Sequence, residues 1–279
     1  MNKLNDKDLA IKPRRMQFAT NSMKMDRFAI KNNSLISTFF YALSGMFPDG
    51  ERFFIHSVRH YQKSITDKKM IAEIRGFIGQ EAHHGRCHEE LNSEISKLGI
   101  PMDLVIDNMA SRIEMLESSF GPERQLALTV AMEHFTASLA EFILKNPNIL
   151  DDTPDAFRQM LLWHAVEEIE HKSVAFDVFN QKVGDEWMRR RVMVIAMITL
   201  FSRIAYFQLR MLIKTKHLPS WKEWKQASQF FWGKKGILRA NFYGVKKFFK
   251  RGFHPSDIDQ VALINNWEAR FPDVAAQET

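Results

Sequence analysis

WHAVEEIEHKSVAFDVF, residues 163–179, decides the fold once it is set beside FIGQEAHHGRCHE, residues 77–89. Each stretch carries a Glu three residues ahead of a His: Glu168 and His171 in the first, Glu81 and His84 in the second. Positions i and i+3 lie on one face of a helix. Each pair can therefore grip one metal ion with a carboxylate oxygen and an imidazole nitrogen. Upstream of each pair stands a further Glu in its own helical stretch: Glu51 in FPDGERFFIHSVRHY (47–61) and Glu133 in AMEHFTASLAEFIL (131–144). The chain reads as two helix hairpins, each with Glu on its first helix and Glu-x-x-His on its second, closing into a four-helix bundle around two metal ions.

The wider sequence agrees with helices. Among 279 residues there are 12 Gly and 9 Pro, too few for a turn-rich β fold, and no alternating strand pattern runs longer than a few residues. Asn33-Ser34 caps a first helix, which Pro48 is expected to break or kink before Asp49-Gly50 restarts it. Thr66-Asp67 opens the helix carrying Glu81 and His84, and Gly99 with Pro101 closes it. A further helix covers 102–119, and the apolar run holding Glu133 covers 123–145. Asp152-Thr153-Pro154 starts a helix expected to reach about Val183, and a last long helix covers 187–215. The expected fold is all-α: a four-helix bundle over 33–185 with additional N-terminal and C-terminal helices. Residues 1–32 form an arm, with IKPRRMQF as its docking stretch, and 186–279 form a basic, aromatic helical extension.

Six residues are the expected metal ligands: Glu51, Glu81, His84, Glu133, Glu168 and His171. Glu133 sits among Ala, Val, Met, Phe and Leu, where a carboxylate is costly to bury unless paired or bound to metal. Rivals stay open. Glu167 competes with Glu168, Glu141 with Glu133, and His83 with His84. His88 and His164 share faces with the two pairs and are expected to support ligands rather than bind metal. Four carboxylates and two imidazoles are the donor set of ferritin-like di-iron and di-manganese carboxylate proteins. Hard oxygen plus nitrogen suits Fe first, with Mn or Zn as alternatives. Cys87 is the single cysteine, so an internal disulfide and a thiolate zinc site are both excluded; a plain buried thiol is expected there. Neither G-x-S-x-G nor H-E-x-x-H occurs, so no catalytic residue and no organic-cofactor site is assigned.

Taken together, the four quoted stretches resemble the bacterial family labelled "predicted metal-dependent hydrolase", which is regarded as ferritin-like. RGFHPSDID (251–259) resembles that family's C-terminal motif. The resemblance runs from about IKPRRM (11–16) to the last helix and departs at none of the six ligand positions. The family label implies hydrolysis, whereas the ligand set implies redox chemistry. The first expectation is an O2-dependent di-iron oxidase or oxygenase acting on an apolar, lipid-like small molecule, in keeping with 23 Phe and 15 Met. The alternative is hydrolysis by a metal-activated water. A non-catalytic metal-binding or storage bundle ranks third.

The net charge of +6 is unevenly spread: residues 214–251 hold eleven Lys or Arg and one acid, Glu223. Trp221, Trp224, Phe230, Phe231, Trp232, Phe242, Tyr243, Phe248 and Phe249 interleave with them. Three readings follow: aromatics packed on the bundle, amphipathic helices on an anionic membrane surface, and nucleic-acid binding, which ranks last. A homodimer is a further expected partner arrangement. The N-terminus lacks an apolar signal region, so the expected location is cytoplasmic and peripheral to the inner face of the membrane.

Overall fold

Local capping chemistry sets where the main helices begin. Asn33 Oδ1 accepts from the backbone N–H groups of Leu35 and Ile36 at 3.0 and 3.1 Å and starts α1, Ser34–Gln62. Asp67 Oδ1 accepts from Met70 N at 2.7 Å and starts α2, Lys68–Lys97, which ends where Gly99 takes a positive φ of 78°. Then follow α3 (Asp103–Ser119), α4 (Pro122–Lys145, with Pro at its first position) and α5 (Asp155–His171). The chain continues through α6 (Val174–Lys182), α7 (Glu186–Lys214), α8 (Trp221–Trp232), α9 (Ile237–Lys247) and α10 (Val261–Arg270). This is a computed structural model; it describes residues 11, 13–18 and 24–271. Residues 1–10, 12, 19–23 and 272–279, which include parts of the arm and of the C-terminal extension, lie outside the described residues.

Every regular element among the described residues is helical, and the architecture is a ferritin-like bundle with flanking helices. Helices α1, α2, α4 and α5 make the bundle, with α1 lying along α2 and α4 along α5. The crossover helix α3 packs on α1, and α7 packs against both α1 and α4. Helix α8 rests on α1, α9 on α4, and α10 on α4 and α5. The described part of the arm holds no helix and threads Arg14, Met16 and Phe18 into the core.

Two expectations about helix continuity change. Pro48 does not break α1, which runs unbroken through it. Proline removes one N–H and frees the carbonyl four residues earlier. Here that carbonyl, Ser44 O, accepts from Asn92 Nδ2 of α2 at 3.0 Å. The helix expected to run on from Asp152 to about Val183 instead stops at His171 and resumes at Val174. At the break the buried Lys172 ammonium donates to Ile258 O at 2.7 Å and Gln260 Oε1 at 2.6 Å. The C-terminal segment is thereby tied to the chain just past the second Glu-x-x-His pair.

Among the described residues, two helices are long and apolar enough to cross a membrane, Pro122–Lys145 and Glu186–Lys214. The first is a core helix, with 83% of its apolar window buried; the second is 28% buried. On α7 a stripe of Met193, Ala196, Leu200, Ile204, Phe207 and Met211 faces the bundle. Its other faces expose apolar side chains such as Ile195, Ile198, Leu209 and Ile213.

Candidate metal centre

The six residues singled out in the sequence meet in one buried cluster. Glu51 comes from α1, Glu81 and His84 from α2, Glu133 from α4, and Glu168 and His171 from α5. None is more than 5% exposed. His171 Nε2 lies 3.1 Å from Glu81 Oε1, 3.3 Å from Glu133 Oε2 and 3.6 Å from Glu168 Oε2. His84 Nδ1 lies 3.9 Å from Glu81 Oε1. Ligand-type atoms of Glu51, Glu81 and His84 form one group within 4.8 Å, and those of Glu81, Glu168 and His171 form another. Glu81 is common to both.

What these atoms lack is as informative as where they sit. Both carboxylate oxygens of Glu51, Glu81 and Glu133, with His84 Nδ1 and His171 Nε2, are buried without a well-aligned hydrogen bond; their near neighbours are one another, as in the ion pairs of His171 with Glu81 and Glu133. Buried polar atoms are nearly always satisfied, and leaving one unmet costs about 1–3 kcal/mol. Eight such atoms converging on one point fit a donor set awaiting cations. Electrostatics agree. Burial and the charges of neighbouring glutamates hold Glu51 and Glu81 well above the usual carboxylate range. Burial also pushes Glu133 up to about 7, against the pull of His171. His171 is raised well above its ordinary value despite burial, by Glu133 and by contacts with Glu168 and Glu81. A cluster of this kind calls for positive charge.

The imidazoles are oriented from behind. His171 Nδ1–H donates to Gln80 Oε1 at 2.9 Å, leaving Nε2 to face the carboxylates. Gln80 Nε2 in turn donates to Glu170 Oε2 at 2.7 Å. His84 Nε2–H donates to Glu167 Oε2 at 3.0 Å, leaving Nδ1 inward. Arg14 closes both chains: it donates to Glu170 at 2.6 and 2.9 Å, and to Glu167 through Nη1 at 3.3 Å and backbone N at 3.1 Å. Trp163 Nε1 adds a bond to Glu167 at 3.1 Å. Burial and the charge of Glu170 push Glu167 up to about 8 even so.

His164 enters the cluster as well. Its Nε2 lies 2.8 Å from Glu168 Oε1 and 3.9 Å from Glu51 Oε1. The tautomer can be traced. Asn92 Nδ2 donates to Ser44 O, so Asn92 Oδ1 takes the Ser44 hydroxyl proton at 2.7 Å. Ser44 Oγ must then accept from His88 Nδ1–H at 2.9 Å. His88, held well below its ordinary value by burial and by His164, is neutral, so its Nε2 accepts from His164 Nδ1–H at 2.9 Å. His164 Nε2 is the ring atom turned toward the carboxylates, and Glu168 Oε1 accepts from it. From sequence alone His164 stands behind the ligands, because its signal, a His four residues before Glu168, also fits a packed helix face.

The rivals go elsewhere. Glu167 turns to His84 and Arg14. Glu141 accepts from Gln260 at 2.8 Å and pairs with Lys145. His83 bonds Met16 O at 2.9 Å and Arg86 at 3.1 Å. Cys87 is a buried thiol that burial pushes up to about 12.

A small chamber of about 40 Å³ lies beside the cluster, lined in part by His88, His164, Glu168 and Phe47. It shares Leu43, Phe47 and Thr136 with a cavity of about 440 Å³ walled by α1, α3, α4 and α7. Phe47 packs against His88 and His164 in tilted and edge-on contacts, with ring centroids 4.7 and 5.3 Å apart. The Thr136 hydroxyl donates to Glu168 Oε2.

Among known proteins, residues 12–259 match the model of a family described as "Predicted metal-dependent hydrolase". No curated protein and no solved structure matches the chain. With that match spanning most of its length, and with clustered Glu and His donors at its centre, the chain belongs to this family and is a metal-dependent enzyme.

Proposed function

We propose that the chain is a di-metal hydrolase acting on an apolar small molecule held in the cavity between α1, α3, α4 and α7. The observation that carries this reading is the set of buried donor atoms without well-aligned hydrogen bonds, taken with the family's description. Glu51, Glu81, His84, Glu133, Glu168 and His171 would hold two divalent ions, whose charge the four carboxylates balance. When bound, paired ions lower the pKa of a water and polarise an acyl or phosphoryl oxygen. The chain's own contribution is positional. Gln80 and Glu167 fix the two imidazoles, Thr136 orients Glu168, and Phe47 keeps bulk water from the chamber.

O2-dependent oxidation is the second reading. It is favoured by the donor set itself, carboxylate oxygen with imidazole nitrogen and no thiolate, which suits Fe or Mn. The family description supports hydrolysis better. Protein purified without added metal separates them. Zinc or manganese with turnover of apolar esters or phosphoesters supports hydrolysis. Iron, with oxygen consumption and no hydrolytic turnover, replaces it by oxidation. If Glu81→Ala and His171→Ala both leave metal content unchanged, the site itself is wrong.

The exposed apolar faces suggest how an apolar substrate is reached. Phe230 and Phe231 pack on Phe40 and Phe39. Leu218, Trp221, Trp224 and Trp232 stay exposed beside Lys222, Lys225, Lys234 and Lys235. Apolar tips flanked by lysines suit the surface of an anionic bilayer. Flotation with anionic vesicles should be salt-sensitive and weakened by Leu218→Ser with Trp221→Ser. Self-association through the same face, seen as a dimer without vesicle binding, would count against it.

A further inference from the structure

The wall of the large cavity is apolar except for Thr136, Thr199 and four arginines: Arg112 on α3, Arg124 in the first turn of α4, and Arg191 and Arg203 on α7. No Asp or Glu lines it. Some arginines elsewhere pair with carboxylates, Arg52 with Asp49 and Glu89, Arg158 with Asp155 and Arg190 with Glu186, while Arg27 and Arg189 bond backbone carbonyls instead. Those in the cavity form no ion pair among the described residues. Arg203 stacks on Phe207 at 5.4 Å and donates to Asn108, and its Nε is buried with no acceptor. Burial and the adjacent positive charge of Arg112 hold Arg203 below its ordinary value. Two guanidinium groups brought together without an anion repel each other, and an apolar wall strengthens that repulsion. A bound anion removes it, and guanidinium forks bind carboxylate and phosphate in two-pronged fashion.

The cavity meets the chamber beside the metal cluster at Phe47 and Thr136. Its α7 wall runs from Met188 to Arg203, about 22 Å of helix at about 1.5 Å per residue. Its volume, about 440 Å³, falls in the usual range for small-molecule sites.

We infer that the substrate is an anionic amphiphile: a carboxylate or phosphate head is held by Arg112 and Arg203, and its apolar body lies along the apolar part of the cavity wall. This rests on the reading of the cavity as the substrate site, and it specifies the ligand class that the site takes.

The test is direct binding to the full-length protein, with no turnover required. Dodecanoate, dodecyl phosphate and dodecanol are titrated by calorimetry, below their aggregation limits. Either anion should bind about tenfold or more tighter than the alcohol, the scale of one charge-assisted hydrogen bond. Which anion wins identifies the head group. Arg112→Gln with Arg203→Gln should bring the anion down to the alcohol's affinity and leave the alcohol unchanged; Arg203→Lys should keep part of the preference. Equal binding of alcohol and anions to the wild-type protein overturns the inference whatever the variants do. So does an anion preference that survives loss of all four arginines in a protein that still binds the alcohol. Repeating the titrations in Glu81→Ala separates the two claims: failure of the metal reading shows in metal content, while anion preference is read from binding alone.

Discussion

The α1–α2 hairpin and the α4–α5 hairpin carry the same ligand pattern in different surroundings. In the first, both oxygens of Glu81, the counterpart of Glu168, are buried without a well-aligned hydrogen bond. In the second, Glu168 accepts from Thr136 and faces His164, and contacts with His164 and His171 outweigh burial and hold it well below the usual carboxylate range. The bracing is exchanged between the hairpins. His84 of the first is oriented by Glu167 of the second, and His171 of the second by Gln80 of the first. Neither hairpin presets its own imidazole. The donor set exists only when the bundle has closed, and Arg14 of the arm ties off both braces.

The sharpest way to break this symmetry of bracing is Arg14→Ala. It leaves Glu167 and Glu170 buried without their cation, which costs about 3–5 kcal/mol. Denaturant unfolding should show that loss, and an unchanged midpoint would contradict the bracing scheme. Next come the individual braces. Gln80→Leu acts through His171 and Glu167→Gln through His84, and each should weaken metal binding about 10–100-fold in a chelator-competition titration. If only one of them matters, the exchange between hairpins is not mutual. Gly85→Ala probes the first hairpin alone. A Cβ there would stand 3.1 Å from Glu51 Oε2 and 3.7 Å from Pro48 Cα. Metal affinity should fall modestly while thermal stability changes by no more than about 1 kcal/mol.

The smallest effect expected lies outside both hairpins, at the contact of α8 with the start of α1. Glu223 accepts from the Ser34 hydroxyl at 2.6 Å and from Ser34 N at 3.0 Å. Against the burial that raises it, these bonds and those from Ser220 hold it at about 2. Its folded value is depressed, so its contribution to stability is full above the ordinary value of about 4.3 and is lost as pH falls through about 2. Glu223→Gln should flatten that acid limb of the stability curve.

The ligand pattern was legible because it is local. Glu81 with His84 and Glu168 with His171 each need only one helical turn, and the order of the four helices follows from two repeats of the same hairpin. What escaped was long-range. Pro48 reads as a break until Asn92, on another helix, takes the carbonyl it frees. IKPRRMQF was recognisable as a docking stretch, but the partners of Arg14 lie more than 150 residues away, at Glu167 and Glu170. His164 is held at the cluster by a relay that needs Ser44, His88 and Asn92 in place. The arginines of the cavity sit on three helices and share no motif.

Anomalous scattering from crystals of protein purified without added metal tests the central claim most directly. The account predicts two peaks per chain, one among Glu51, Glu81 and His84 and the other among Glu81, Glu168 and His171, with both lost in Glu81→Ala. No peak in this cluster, or peaks that survive that substitution, would contradict it.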